Sequence, residues 1–337
     1  MSHRFLLVRL GALGDVIHAI PTAAALRVRF PEARIDWAVD PRYVGLLEMV
    51  RGIDSRIPVS TRRPGEILST IRDLRRVGYT AALDLQGLLK SAVLARAVGA
   101  ERTIGFERAH LRERTARPFY THGVAPTGAA HVIFKNLALL EPLGGRDTRA
   151  AFPLEIPHSV AAEAVRTRFD GAPYAVMNPG AAWPNKRWPA DRFGGLAALM
   201  RDRFGLRSLV LWGPDEQPLA EQVATAANGA AELAPPTSIT DVFAIARHAR
   251  VLISGDTGPL HIGGAVGIPL VALFGPTRAE RNGPWSTSDV VISRTDGCAC
   301  LYRRRCRRAD ACINDIQLPE VIEAVERRLA TPPEAPA

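Results

Sequence analysis

The chain has 337 residues, which suggests two domains of ordinary size, and its 47% hydrophobic content is ample for two cores. No apolar run is long enough for a membrane-spanning helix, and the N-terminus shows no signal-peptide pattern, so we expect a cytosolic protein. The net charge of +9 lies wholly in residues 1–150, with 23 Lys and Arg against 14 Asp and Glu, which predicts an anionic partner such as phosphate groups, a membrane surface or nucleic acid.

The first half alternates short apolar runs with segments of helical period. The predicted strands are 5–9, 35–39, 56–59, 81–85 and 102–105, and the predicted helices lie near 15–29, 41–50, 65–77 and 88–98. This alternation indicates βαβ units and a parallel sheet. Residues 106–130 are less regular, and a helix is expected from 131 to 140.

The second half repeats this alternation after a segment rich in Gly and Pro, 143–157, which we interpret as the interdomain linker. The predicted strands are 174–178, 208–212, 251–254 and 270–274, and the predicted helices lie near 190–204, 216–227, 239–248, 258–266 and 318–329. The expected organisation is two doubly wound domains, 1–150 and 151–316, then a helix, 317–330, and a disordered tail, 331–337.

Asp15 follows the first predicted strand in a turn that contains Gly11 and Gly14. The two glycines permit a tight turn into a helix and a close approach of a ligand to the backbone. In open α/β sheets, ligands bind beyond the carboxyl ends of the strands. Two interpretations stay open: Asp15 is a catalytic general base, or it is a helix cap.

The strand at 251–254 leads into Asp256, Thr257 and Gly258, where a helix is expected to begin. The backbone N–H groups of a helix start can bind an anion. His261 lies about one turn further on and faces the same way as Thr257, so together they could hold a diphosphate. The alternative is that Asp256 is a cap and His261 a packed core residue.

Two further residues of the second half have the chemistry of a nucleotide site. Lys186 is the only lysine there and lies in a Gly/Pro-rich loop after a strand, where its flexible stem suits a point contact to phosphate. Glu216 follows the next strand, and an acid in that place can accept hydrogen bonds from ribose hydroxyls. The alternative for Glu216 is an acid that merely stabilises a helix start.

Five motifs occur in a fixed order: Leu10-Gly-Ala-Leu-Gly-Asp-Val-Ile-His-Ala-Ile-Pro21, Asp36-Trp-Ala-Val-Asp40, Asp84-Leu-Gln-Gly-Leu-Leu-Lys-Ser91, Lys186-Arg-Trp-Pro189 and Asp256-Thr-Gly-Pro-Leu-His261. Each motif is modest alone, but the ordered set is specific. From about residue 4 to 328 the chain resembles glycosyltransferase family 9, the ADP-heptose:lipopolysaccharide heptosyltransferases.

The resemblance implies a GT-B fold, in which two Rossmann-like, doubly wound parallel-sheet domains face a cleft. It implies that the first domain binds the acceptor and the second binds ADP-heptose, and that transfer inverts the sugar without a metal or other cofactor. Asp15 matches the family's proposed base, Lys186 a contact to the donor, and Glu216, within one residue, the ribose-binding acid. The sugar- and diphosphate-binding turn is matched by Asp256, Thr257, Gly258 and His261.

Acceptor contacts follow from the same resemblance, since basic residues of the type-I enzymes meet the phosphorylated Kdo–lipid A core. The residues at similar places here are Arg62 or Arg63, Arg112, His131 and Lys135. They account for part of the basic excess. The implied place of work is the cytoplasmic face of the inner membrane, in peripheral contact with it, and no nucleic acid partner is expected.

Two departures from the type-I pattern bear on the substrate. Ala181 and Ala182 stand where type-I enzymes tend to carry hydroxyl residues, and the four cysteines between Cys298 and Cys312 look more like the type-II enzymes. First and second heptose transfer, another nucleotide sugar and a later core acceptor therefore all stay open.

The cysteine cluster has the spacing C-x-C followed by two five-residue gaps, which is not the usual paired C-x2-C spacing of a zinc site. Surrounding arginines would lower thiol pKa values and could also face anionic lipid. Free thiols or a local disulfide are favoured over a structural metal, and no metal ligand is predicted.

Two other classes of protein were weighed. A nucleotide-dependent oxidoreductase would need G-x-G-x-x-G, and the spacing of Gly11 and Gly14 does not provide it. A nucleotide- or nucleic-acid-binding protein without catalysis is compatible with the basic half, but aromatic content is only 6% and no recognised nucleic-acid module is present.

Overall fold

The computed structural model describes residues 3–60, 64–145, 149–296 and 298–332. It divides into two compact units, with the boundary between Glu155 and Ile156. Residues 153–155 stay with the first unit because their backbone pairs with 49–51, for example through Glu155 N–H to the Met49 carbonyl at 2.7 Å. Within the described ranges, no helix is long and apolar enough to cross a membrane.

The described residues of the first unit form six strands and six α-helices. The strands are β1 Arg4–Val8, β2 Arg34–Val39, β3 Ser55–Pro58, β4 Ala81–Asp84, β5 Arg102–Phe106 and β6 His122–Val124. The helices are α1 Leu13–Ile17, α2 Ile20–Arg29, α3 Val44–Glu48, α4 Pro64–Val77, α5 Leu89–Ala97 and α6 Val132–Ala138.

The first sheet is parallel throughout, with the strand order β3-β2-β1-β4-β5-β6. Its central strand β1 pairs Phe5 with Ile35 of β2 on one side and with Ala81 of β4 on the other. Phe5 through Val8 are fully buried. A continuous apolar run is the pattern of a strand that helices cover on both faces.

Six strands and seven α-helices are found in the part of the second unit that the structure describes. The strands are β7 Tyr174–Asn178, β8 Arg207–Val210, β9 Ala231–Leu233, β10 Val251–Gly255, β11 Leu270–Phe274 and β12 Val290–Ser293. The helices are α7 Val160–Arg168, α8 Ala190–Phe204, α9 Gln217–Ala226, α10 Ile239–Arg247, α11 Gly258–Ala265, α12 Ala279–Asn282 and α13 Leu318–Ala330.

The second sheet is also parallel, with the order β12-β11-β10-β7-β8-β9. Counted from its own first strand, this is the same order as in the first sheet, and it is the doubly wound order of dinucleotide-binding folds. The repetition could not be seen in the sequence, where the two halves share only the alternation of strands and helices.

The helix expected near 15–29 is broken into α1 and α2 at His18 and Ala19. Pro21 is the reason, because proline has no N–H to continue a helix and is tolerated in a first turn, where α2 places it. Three short strands were missed, β6 in the irregular stretch, β9 and β12. β6, β9 and β12 lie at sheet edges and have three or four residues, too few for a clear apolar run.

Candidate active site

Both sheets reverse their strand order at one place, between β1 and β4 in the first unit and between β7 and β10 in the second. The loops that leave the carboxyl ends of two such strands diverge to opposite faces and leave a crevice where ligands bind. Asp15 follows β1, and Lys186 and Asp256 follow β7 and β10. Asp15, Lys186 and Asp256 therefore follow strands that flank the two switch points, whereas Glu216 follows β8.

Asp15 is the third residue of α1 and is held mainly by Arg9. Its Oδ1 lies 2.6 Å from Arg9 Nη2, whereas its Oδ2 accepts the Ala12 N–H over 3.4 Å. The Asp15 side chain is 34% exposed and that of Arg9 only 5%. The helix-capping contact is present but long. The Asp15 carboxylate is therefore held mainly by Arg9, and about a third of the side chain stays exposed to solvent.

Arg9 is itself fixed by the end of the neighbouring strand. Its guanidinium donates to the Leu85 carbonyl, just after β4. The Leu10 N–H donates to Gln86 Oε1 at 2.8 Å, which ties the same two chain segments together a second time. The position of the Asp15 carboxylate is therefore set by the pairing of β1 with β4.

The Gln86 turn is held by a buried carboxyl group. Asp84 accepts hydrogen bonds from Tyr120 at 2.7 Å, from Ser91 at 2.9 Å, and from the N–H groups of Gln86 and Gly87 at 2.9 and 3.2 Å. Complete burial raises the pKa of Asp84, and these four hydrogen bonds oppose the rise only in part. Because all of its contacts lie within the fold, Asp84 is a structural residue.

Asp256 is the centre of the site in the second unit. Its Oδ2 lies 2.6 Å from Lys186 Nζ and accepts the Thr277 hydroxyl at 2.7 Å, and its Oδ1 lies 3.5 Å from His261 Nε2. Burial alone would raise the pKa of Asp256, but the hydrogen bond of His261 and the charge of Lys186 outweigh burial and hold the pKa well below its usual range. Asp256 is an anion that orients a lysine.

The loop that carries Lys186 reaches β10 because Gly255 has no side chain. A Cβ atom at Gly255 would lie 2.9 Å from the Lys186 carbonyl oxygen. Lys186 Nζ also lies 4.7 Å from the centre of the Trp183 ring. The ammonium group of Lys186 therefore contacts both the Asp256 carboxylate and the Trp183 ring, and these two contacts restrict its orientation.

Thr257 is the N-cap residue of α11, but its side chain does not cap the helix. Its hydroxyl instead lies 2.9 Å from Ser254 Oγ and 3.1 Å from Asn178 Nδ2. These bonds connect the ends of β10 and β7 and fix the turn into the helix. The N–H groups of Thr257 and Gly258 lie at the helix start, where the sequence predicts an anion-binding arrangement, whereas Pro259 has no N–H.

Glu216 immediately precedes α9 and lies against the loop after β7. Its Oε2 accepts the Gly213 N–H at 3.1 Å, and Arg187 Nη2 lies 3.7 Å from its Oε1. A Cβ atom at Gly180 would lie only 2.0 Å from Glu216 Oε2, so the glycine is required for this close approach. The acid is thus placed beside the Lys186 loop.

Comparison with known proteins identifies the family. The family model described as "Glycosyltransferase family 9 (heptosyltransferase)" matches residues 67–311. The chain belongs to glycosyltransferase family 9. It is therefore an enzyme of the transferase class, and the resemblance found in the sequence is confirmed.

Relatives and solved structures of this family cover nearly the whole chain. The chain is 30% identical to lipopolysaccharide heptosyltransferase 1 of Pseudomonas aeruginosa, over 90% of this chain and 87% of the relative. It is 26% identical to lipopolysaccharide heptosyltransferase 3 of Escherichia coli K12, over 96% of this chain and 97% of the relative.

The structure of the Escherichia coli heptosyltransferase WaaC with ADP superposes with a TM-score of 0.77 at 22% identity, over 96% and 99% of the two chains. A family 9 structure from Veillonella parvula gives 0.84 at 24%, over 98% of each. The predicted GT-B fold is confirmed.

The acceptor residues implied by the family resemblance have different surroundings. His131 is buried at the start of α6, with its ring centre 5.2 Å from that of His18. Lys135 lies one turn further along and is half-buried. Asn136 donates to the His18 carbonyl at 3.1 Å, so this helix packs on the segment that carries Asp15. Arg112 is exposed between β5 and β6, and Arg62 and Arg63 lie outside the described residues.

Three site residues of this family 9 enzyme were missed in the sequence: Arg9, Asn178 and Thr277. Each follows or ends a buried strand, at β1, β7 and β11. A polar side chain at the carboxyl end of a parallel strand is the signal that could have found all three.

Proposed function

We propose that this enzyme transfers heptose from ADP-heptose to the Kdo–lipid A inner core of lipopolysaccharide, with inversion and without a catalytic metal. The observation that carries the proposal is the arrangement around Asp256. The Asp256 carboxylate holds Lys186, and Asp256 itself lies two residues before the start of α11. That combination of a point cation and oriented N–H groups suits a diphosphate.

The donor is inferred from the relatives together with this site. Among the matching structures are the Escherichia coli enzyme WaaC "with ADP" and "with ADP-2-deoxy-2-fluoro heptose". In this chain Lys186, Thr257 and Gly258 would bind the diphosphate, and Glu216 would accept hydrogen bonds from the ribose. Asp256 and His261 would contact the sugar or hold the lysine in place.

The proposed chemistry is a single in-line displacement. The Asp15 carboxylate takes the proton of an acceptor hydroxyl as that oxygen forms a bond to the anomeric carbon. The bond from the anomeric carbon to the diphosphate oxygen breaks, and its electron pair leaves with ADP. Lys186 and the N–H groups of α11 stabilise the charge that develops on the leaving group. Attack opposite the leaving group inverts the anomeric configuration.

The acceptor side rests on the basic first unit. Its excess of arginine suits a phosphorylated, lipid-linked saccharide, and His131, Lys135 and Arg112 are the described candidates for contacts. A lipid-linked acceptor would place the enzyme on the cytoplasmic face of the inner membrane, in peripheral contact with it.

A second candidate is a family 9 transferase that adds a later sugar to the core or uses another nucleotide sugar. The similarity to lipopolysaccharide heptosyltransferase 3, over 96% of this chain, supports this second candidate. A nucleotide-binding protein without catalysis is the remote alternative.

The test is transfer from ADP-heptose to purified lipopolysaccharide acceptors that carry no heptose or one heptose, followed by mass spectrometry of the product. The proposal predicts addition of one heptose to the heptoseless core. Addition only to the one-heptose core would favour the later-acceptor candidate. Absence of transfer to either, with no thermal stabilisation by ADP-heptose, would contradict the proposed donor.

A further inference from the structure

Helices α4 and α5 lie side by side on one face of the first sheet. Both pack into the same buried hydrophobic cluster, through Leu74 of α4 and Leu94 of α5. Near their ends, Arg75 Nε of α4 donates to the Ala97 carbonyl of α5 at 2.6 Å, so the two helices are in direct contact. Their outer sides therefore form one continuous surface.

Each of the two helices presents a stripe of apolar and basic side chains on this outer surface. The spacing within each stripe is i, i+4 and i+7, which keeps its three side chains on one side of a helix. All six side chains are exposed, and the leucines and the valine are 64%, 41% and 40% exposed in chain order. We call these six residues the α4–α5 surface: Leu68, Arg72 and Arg75 on α4, and Leu89, Val93 and Arg96 on α5.

The charge of the α4–α5 surface is positive, because the acids of the two helices lie elsewhere. Helix α5 contains two basic residues and no acidic one. The two acids of α4, Glu66 and Asp73, lie about 140–160° around the helix from Leu68, since each residue turns an α-helix by about 100°. Asp73 is also paired with Arg76 at 3.0 Å. The three arginines of the surface therefore have no carboxylate of α4 or α5 among them.

An anionic lipid membrane is the partner that fits both kinds of side chain. Arginines attract acidic headgroups, and apolar side chains between them can enter the boundary between headgroups and acyl chains. The phosphate backbone of a nucleic acid would engage the arginines but would leave Leu68, Leu89 and Val93 in water. A protein interface usually has an apolar core inside a polar rim, whereas here basic and apolar residues are interleaved.

The start of α5 lies beside the turn that leads from β1 to the proposed base. Gln86, three residues before α5, accepts the Leu10 N–H at 2.8 Å. Glu113, next to the acceptor candidate Arg112, accepts the Leu89 N–H at 2.7 Å. A membrane bound at the α4–α5 surface would therefore lie close to the crevice of the first unit.

We propose that the α4–α5 surface docks this enzyme on an anionic phospholipid membrane. Its arginines contact the headgroup phosphates, and Leu68, Leu89 and Val93 enter the apolar boundary. The inference rests on the lipid-linked acceptor of the proposed function, and it names the part of the first unit that meets the lipid. Docking at this place brings the saccharide of the acceptor to the edge of the sheet that carries the base.

The test is co-sedimentation of the full-length chain with lipid vesicles in the absence of substrate. Vesicles of phosphatidylethanolamine with about 30% phosphatidylglycerol supply an anionic surface, and vesicles of phosphatidylcholine supply a neutral one. We expect binding to the anionic vesicles to be about 10-fold tighter or more, and to weaken at high salt. Equal affinity for the two kinds of vesicle, or binding to neither, would overturn the proposal.

Two variants separate docking on lipid from a general attraction to anions. Leu68→Ser should weaken binding to the anionic vesicles by about 10-fold, because it removes an apolar side chain from the boundary. Arg72→Gln should weaken it by about 5-fold. The matched controls are Val28→Ser on α2, where the side chain is 71% exposed, and Arg203→Gln, an exposed arginine of α8, and both should bind like the wild type. A loss in Arg72→Gln without a loss in Leu68→Ser would indicate a general anion site and would overturn docking on lipid.

Folding and sugar transfer are controlled separately. Because all four substituted side chains are exposed, the variants should unfold at the wild-type temperature, so that lost vesicle binding reports on the surface. Wild-type transfer to a heptoseless acceptor dispersed in detergent tests the proposed function on its own. Transfer in detergent without any vesicle binding would overturn the docking surface alone. Vesicle binding with the expected variant pattern but without transfer would support the docking surface and count against the proposed donor or acceptor.

Discussion

Lys186 and Asp256 form an ion pair with a separation of 2.6 Å between Nζ and Oδ2, although they are 70 positions apart in the chain. They meet because β7 and β10 are neighbours in the second sheet, so that the loops after both strands leave at one edge. Both side chains are largely buried, with 15% and 4% exposure. The pair is therefore part of the folded core of the second unit.

Breaking this pair should cost stability and donor affinity together. Lys186→Met and Asp256→Asn should each lower the free energy of unfolding by about 3–5 kcal/mol, because each leaves a buried charge without its partner. The double variant should lose less than the sum. Urea denaturation of the three variants measures this coupling, and simple additivity would contradict it.

Lys186→Met should also weaken ADP binding by about 10- to 100-fold, the usual effect of losing a hydrogen bond to a charged group. Calorimetric titration with ADP measures it. Lys90→Met, on α5 of the first unit, is the matched control and should bind ADP normally. Equal affinity of Lys186→Met and wild type would remove Lys186 from the donor site.

Because the pKa of Asp256 is lowered in the folded chain, its contribution to the free energy of unfolding depends on pH. A carboxyl group whose pKa is lower in the folded than in the unfolded chain stabilises the fold above the unfolded value of about 3.9, and that stabilisation is lost as the pH falls toward the folded value. The stability gap between wild type and Asp256→Asn should therefore shrink by about 1.4 kcal/mol per pH unit below about pH 3.9. Urea midpoints across this range test the sign, and a gap that widens in acid would contradict it.

Arg9 should act as a positioning residue for Asp15. Arg9→Gln removes the 2.6 Å contact to the Asp15 carboxylate, and a misplaced base can lower turnover by up to about 100-fold. Because Arg9 belongs to the first unit, we expect kcat to fall while the KM for the donor stays unchanged. Arg9→Lys should restore part of the turnover.

The control for this variant is Arg76→Gln, which removes an exposed ion pair with Asp73 and should leave the kinetics unchanged. If Arg9→Gln and Arg9→Lys lost kcat to the same extent and thermal stability to the same extent, Arg9 would have a purely structural role.

Gly180→Ala tests Glu216 without changing its charge. The new methyl group would overlap Glu216 Oε2 and displace the carboxylate. If Glu216 binds ribose, affinity for ADP should fall by about 10-fold or more. Gly45→Ala, where a Cβ atom meets open space, is the control. Unchanged ADP affinity in a Gly180→Ala protein whose structure shows Glu216 displaced would remove Glu216 from the donor site.

The sequence predicted the buried strands well and their arrangement less well. The strand at 174–178 was found with its observed bounds because five buried residues form one unbroken run between turn residues. Edge strands such as His122–Val124 are too short and too exposed to give that pattern. The equal strand order of the two sheets is a property of long-range pairing, which local patterns do not contain.

The sequence pointed to individual residues of the candidate site but not to the contacts between them. Asp15, Lys186 and Asp256 stood out as polar residues after apolar strands. Arg9, the partner of Asp15, did not stand out, because it looked like the last residue of a strand. The choice between a helix cap and a general base for Asp15 depends on this partner. Spacing alone did not predict that Cys298 lies close to both Cys300 and Cys312, since segments without regular structure can bring unevenly spaced residues together.

The most direct test of the proposed mechanism is heptose transfer from ADP-heptose to heptoseless lipopolysaccharide by wild type and Asp15→Asn, each with and without brief exposure to EDTA. The account predicts that Asp15→Asn binds ADP-heptose like the wild type and loses about 10²- to 10⁴-fold in turnover, the usual scale for a general base. EDTA should leave wild-type transfer unchanged. Turnover near the wild-type rate in Asp15→Asn would contradict the assignment of the base, and loss of wild-type transfer with EDTA would contradict catalysis without a metal.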